Sequence, residues 1–138
     1  MAIFGRPLTF PVIAHAIYVR RGKRKPILVG FGGLCWRFRD AGASRNRCDI
    51  WFDIEQPDLL NPVTLVRWAR RMLRTAVQVG ETSVYCIRDD EPNSAKLLEL
   101  VGLERMAGDV TITFEDGSKR TGEIWRWQAS QQSQPSQR

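Results

Sequence analysis

The apolar positions of this chain change their spacing twice, and those changes mark out its elements. Residues 11–20 (PVIAHAIYVR) are rich in β-branched and aromatic side chains and predict a strand, ended by the turn-forming Arg21-Gly22-Lys23. Residues 26–38 (PILVGFGGLCWRF) predict the return arm of a hairpin, in which Gly30, Gly32 and Gly33 mark a bulge or a close backbone approach. After a polar loop at 40–47, residues 48–55 (CDIWFDIE) alternate strictly. Ile50, Phe52 and Ile54 share one face; Asp49, Trp51, Asp53 and Glu55 share the other.

The period then lengthens. Asn61 suits an N-cap and Pro62 the first helical position. Through 63–78, Leu65, Val66, Ala69, Met72, Leu73, Ala76 and Val77 recur at helical spacing, with Arg67, Arg70, Arg71 and Arg74 gathered on the opposing side. Gly80 is a natural stop. Ser83–Arg88 (SVYCIR) reads as a short buried strand, and Asp89-Asp90-Glu91-Pro92-Asn93 opens a second helix over Ser94–Val101 that stops at Gly102. Strands are expected at 110–114 and 122–127, flanking the turn signal Asp116-Gly117. The expected fold is therefore α+β, in the order β-β-β-α-β-α-β-β, with helices packed on a mixed sheet. Residues 1–128 form one domain in this reading, and 129–138, ending in QQSQPSQR, a disordered polar tail.

Composition narrows the function. At 138 residues and 43% apolar, with five Trp, the chain can bury a core without disulfides or metal. Cys35, Cys48 and Cys86 are odd in number and lack Cys-x-x-Cys spacing, and with the single His15 they make a poor zinc set, so no metal is expected. No apolar run approaches the roughly 18 residues that span a bilayer. The first ten residues carry Arg6 and Pro7 and no apolar signal core, which leads us to expect cytoplasmic synthesis and reduced thiols.

The formal charge of +6 is unevenly spread. Between Leu59 and Gly80 the only charged residues are the four arginines, Arg20, Arg21, Lys23, Arg24 and Lys25 cluster at the first hairpin, and acids dominate from Glu81 to Asp116. Such asymmetry predicts a positive face for phosphate, nucleic acid or an acidic protein surface. Trp125 and Trp127 share one face of the last strand, suited to the core or to an interface. His15 lies in a strand pattern without a neighbouring Cys or acid for a triad and reads as a core or edge histidine, and Tyr18 and Tyr85 read as sheet packing. Gly30-Phe31-Gly32-Gly33 precedes no helix and so fails as a phosphate loop.

Residues 83–103, SVYCIRDDEPNSAKLLELVGL, resemble the strand, polar turn, short helix and terminal Gly-Phe segment of the acyl-CoA N-acetyltransferase (GNAT) fold, with Gly102-Leu103 in the last place. The element order is similar to that fold from its second strand onward, without the usual N-terminal strand and helices. The resemblance implies a coenzyme A or acetyl-CoA cofactor and transfer to an amine. It also places 65–78 on the family's long cofactor helix. The family's pyrophosphate turn, Arg/Gln-x-x-Gly-x-Gly/Ala, falls here on Leu59, Pro62 and Thr64, and no glycine occurs from Asp53 to Val79. The family's thiolate-protonating Tyr is Leu98, and its cofactor-contacting Asn is Glu91, with Asn93 two residues on. Glu55 and Asp53 are the candidate bases; Asn61, Val63, Thr64 and Arg67 are the candidate cofactor contacts.

The chain also resembles the degenerate GNAT-like internal or structural virion proteins of short-tailed bacteriophages, in its Leu at position 98 and its Asp116-Gly117 hairpin. That resemblance implies a non-catalytic protein acting through protein contacts as a virion structural or assembly component. The alternatives are a divergent acetyl-CoA-dependent N-acetyltransferase and a basic nucleic-acid-associated accessory protein. The partner-binding candidates are Arg67, Arg70, Arg71, Arg74, the basic residues of 20–25, Trp125 and Trp127.

Overall fold

The computed structural model describes residues 2–3, 6–7, 10–88, 94–113 and 116–129. A short antiparallel pair, β1 (Ala2–Ile3) and β2 (Arg6–Pro7), precedes the main sheet. Then follow β3 (Val12–Val19), β4 (Ile27–Cys35), β5 (Asp49–Ile54), a 3-10 turn (Pro57–Leu59), α1 (Pro62–Gln78), β6 (Ser83–Arg88), α2 (Ser94–Val101), β7 (Glu104–Thr113) and β8 (Lys119–Gln128). From β3 onward this is the expected succession, a mixed α+β chain with two helices. The one long boundary error is β7, which starts at Glu104 rather than at residue 110. Register shifts between Arg105 and Ala107 and between Ala107 and Val110 break the alternation that sequence pattern relies on.

The main sheet has six strands in the order β3-β4-β5-β6-β8-β7. All neighbours are antiparallel except β5 and β6, which run parallel and pair only through Asp49 and Tyr85. The Tyr85 N–H donates to the Cys48 carbonyl at 2.9 Å, and past this point the two strands have no further paired residues. α1 and α2 cover one face. Their Ala69, Met72, Leu73, Ala76, Leu98 and Val101 pack with Leu34, Ile50, Val84, Cys86, Trp125 and Trp127 into the core. Amphipathic spacing in α1 makes this possible, because its apolar residues fall on one side of the helix.

Two backbone features fix how closely the layers approach. The β4 bulge falls beside the first of the three glycines and not at them: opposite Ile17 and Tyr18 the register slips from Gly30 to Leu28, leaving Val29 extra on β4. The carbonyl of Val29 then accepts from the backbone N–H groups of both Glu55 and Gln56, tying the hairpin to the end of β5. At Gly32, a Cβ would sit 2.4 Å from Cη2 of Trp68, so α1 can reach the sheet only where that side chain is missing. Both helix stops are as read. Gly80 and Gly102 have φ of 97° and 113°, and the N–H of Leu103 returns to the Leu98 carbonyl at 3.0 Å, closing α2.

Asp49 departs from its expected place on a polar face. It is 3% exposed, because the 36–47 loop folds back and Arg47 grips it through Nε and Nη2 at 3.0 and 3.2 Å. Burial pushes the Asp49 carboxyl above its usual range, and the Arg47 hydrogen bond and charge pull it back down. Arg47 also stacks 4.7 Å over the Tyr85 ring, so one guanidinium closes the junction between β5 and β6. The expected disordered tail, 129–138, lies outside the described residues apart from Ala129, whose N–H donates to Thr82 at 2.9 Å.

Candidate functional site

Where β5 ends and α1 begins, the resemblance places a coenzyme site, and the local chemistry can be followed donor by donor. A helix start offers four backbone N–H groups without intrahelical partners, and these hold anions. Here Pro62 has no N–H. The Val63 N–H is taken by the Asn61 side chain, Oδ1 at 2.8 Å. The Leu65 N–H makes the first intrahelical bond, to the Asn61 carbonyl at 3.1 Å, and is not one of the four. Among the described residues no acceptor pairs with the backbone N–H of Asn61 or of Thr64. Arg67 is exposed, more than a turn into the helix. These residues do not fit a diphosphate: Pro62 lacks one of the four donors, the Asn61 side chain occupies another, and no glycine stands at the turn to let the backbone approach closely.

The two candidate bases lie on β5 and just past its end. Asp53 alternates with Phe52, whose ring packs 5.3 Å from Trp68 of α1, so Asp53 lies on the sheet face away from the helices. Glu55 follows the strand's end and is exposed. Leu98, in the place of the family's Tyr, is 3% exposed and part of the core. Glu91 and Asn93 lie outside the described residues.

The arginine stripe is where the pattern placed it. Arg67, Arg70, Arg71 and Arg74 are all exposed on the outer side of α1. They are not equivalent. Arg70 Nη2 donates to the Leu100 carbonyl at 2.7 Å, capping the end of α2, whereas no ion pair to a described residue holds Arg67, Arg71 or Arg74. Arg20, Arg21, Lys23, Arg24 and Lys25 are exposed at the β3–β4 turn. Trp125 and Trp127 are 4% and 9% exposed, so of their two expected settings the structure shows the core. His15 and Tyr18 are exposed on β3, the latter at 58%.

Pattern reading missed a polar cluster beside α2. Glu123 accepts from Arg88 Nε, from Arg105 Nε at 2.7 Å and from Trp125 Nε1 at 3.2 Å, while Arg88 also reaches Ser94 Oγ at 3.1 Å. The cluster edges a shallow depression of about 400 Å3. Hydrogen bonds from Arg88, Trp125 and Arg105 hold the Glu123 carboxyl down at about 2, so it is a poor base at neutral pH. Only the β6–β8 register, which sets Arg88 opposite Glu123, could have revealed it. A second buried acid, Glu81, accepts from Trp36 Nε1 at 3.1 Å and Arg45 Nη2 at 3.0 Å.

Among the described residues no three His, Cys, Asp or Glu side chains gather to hold a metal ion, and no helix is long and apolar enough to cross a membrane. No protein-family model matches the chain, and comparison with curated proteins finds no significant match.

Proposed function

We propose that this chain is a non-catalytic GNAT-like domain that works through surface contacts, as a structural or assembly component of a bacteriophage virion. The observation that carries the reading is the start of α1. Pro62 and the Asn61 side chain leave it without the donor array a coenzyme A diphosphate needs. The separation of Asp53 from the helical face supports the same conclusion, as does Leu98, buried and without an ionisable group where the family has its Tyr. The succession of elements from β3 to β8 and the resemblance at 83–103 support the GNAT-like part, and Leu98 with the Asp116-Gly117 hairpin the link to virion proteins.

The test is acetyl transfer from acetyl-CoA to a panel of primary amines and to lysine peptides. No turnover above the uncatalysed rate is expected. Turnover that disappears in Glu55→Gln while the fold persists would establish a divergent acetyltransferase instead.

A second reading rests on one observation, the acid-free outer side of α1. Three exposed arginines with no ion pair to a described residue suit a polyanion, and in this reading the domain holds nucleic acid by its backbone. Each phosphate contact contributes roughly 0.9 to the slope of log affinity against log salt. Replacing Arg67, Arg71 and Arg74 with Gln should therefore flatten that slope by about 3. Duplex affinity indifferent to salt would remove this reading.

A further inference from the structure

The two outer strands of the main sheet differ in a way that bears on assembly. An edge strand presents unpaired N–H and C=O groups, and chains that must not associate blunt such edges with charge, proline or bulges. β7 is blunted: its register slips twice, and Glu104 and Arg105 are exposed on it. β3 is not. Its eight residues, VIAHAIYV, contain no acid, lysine, arginine or proline. The irregularity it shares with β4 puts the extra residue, Val29, on β4 and leaves β3 itself continuous. Among the described residues no strand pairs with its outer edge. His15, Ala16 and Tyr18 are exposed along it.

We infer that β3 is a self-pairing edge, and that two copies of the chain join there antiparallel, about a two-fold axis perpendicular to the sheet. Charge selects this arrangement. The strand runs directly into Arg20 and Arg21, so parallel pairing would set two basic turns side by side, whereas antiparallel pairing sends them to opposite ends. Parity restricts the register to pairings centred on a residue, and His15 stands in the middle of the strand. Residues opposite one another must lie on the same face, so their numbers sum to an even value. Centred on His15, the pairing sets Ile13 against Ile17 of the second copy, Ala14 against Ala16, and Val12 against Tyr18. Closure follows from the blunted β7: head-to-tail β3–β7 growth into filaments meets a bulged, charged strand, while the β3–β3 contact is isologous and stops at two.

The experiment uses the full chain. Sedimentation equilibrium up to about 100 μM should give twice the chain mass, with dissociation on dilution. Ala16→Lys introduces the charge that blunts natural edges and should give a monomer with an unchanged far-ultraviolet spectrum, while Arg71→Glu should remain dimeric. His15→Cys provides a second readout that does not depend on Ala16→Lys folding. Opposed residues across an antiparallel pair have Cβ atoms about 4.5–5.5 Å apart, so mild oxidation should link two copies through that position. The native Cys35, Cys48 and Cys86 are buried and should stay out of the reaction. A monomer throughout the concentration range, a dimer that survives Ala16→Lys, or a dimer that His15→Cys fails to cross-link would each overturn the inference.

Discussion

Gly32 shows how much one missing carbon decides. A methyl there meets the far end of the Trp68 ring and lies 3.0 Å from the Trp51 carbonyl, so in Gly32→Ala that side chain or the helix carrying it must give way. Overpacking of this kind costs about 1–3 kcal/mol, readable by urea denaturation. At Gly33 the obstacle is the Ile13 carbonyl, a backbone atom that cannot swing aside, and Gly33→Ala should disturb the β3–β4 pairing itself and cost more. Ionisation gives a second prediction at this scale. The folded state holds Glu123 down at about 2 from an ordinary 4.5, so its contribution is complete above 4.5 and is lost as pH falls toward 2. Glu123→Gln should remove that part of the acid sensitivity, leaving a shallower loss between pH 4.5 and 2. Asp49 acts in the opposite sense, since burial raises its carboxyl and favours the protonated form in the fold. The thiols offer a third check. Burial pushes Cys35 and Cys48 up to about 12, so a thiol reagent at pH 8 should react only as fast as the chain opens, and promptly once urea unfolds it.

At the scale of elements, α1 serves two purposes that its sequence already separated. Its inner residues build the core, and its outer arginines divide into one that binds the end of α2 and three that make no ion pair with a described residue. Arg70→Ala should loosen the end of α2 and cost about 1 kcal/mol, because the Leu100 carbonyl loses its donor. Replacing Arg67, Arg71 or Arg74 should leave stability within about 0.5 kcal/mol. Asn61→Ala removes the cap and costs about 1 kcal/mol in helix stability. Period and punctuation made most elements legible: the 3.6-residue recurrence gave α1, Gly80 and Gly102 gave both stops, and alternation gave β5. Legibility failed where the determining contact is remote in sequence. The bulges in β7 blur alternation, Asp49 is buried by a loop that binds it through Arg47, and the Arg88–Glu123–Arg105 cluster exists only because β6, β8 and β7 are neighbours. The candidate cofactor residues were found as a segment, but which donors the cap would consume was visible only in the folded chain.

Across the whole molecule, the helices cover one face of the sheet, and the two edges are treated differently. One edge is bulged and charged and the other is left uncharged. The basic side of α1 lies on the helical layer, and the hairpin turn extends the positive charge to the end of β3. If the dimer forms through β3, each pair carries two basic turns at opposite ends and two arginine faces on the same side of a continuous sheet.

The central claim is that the start of α1 cannot hold a coenzyme diphosphate, and isothermal titration of the intact protein with coenzyme A measures it directly. No saturable heat is expected up to about 1 mM, the upper end of the range in which enzymes engage their substrates. Saturable binding in the micromolar range, weakened by Thr64→Pro, would contradict the account.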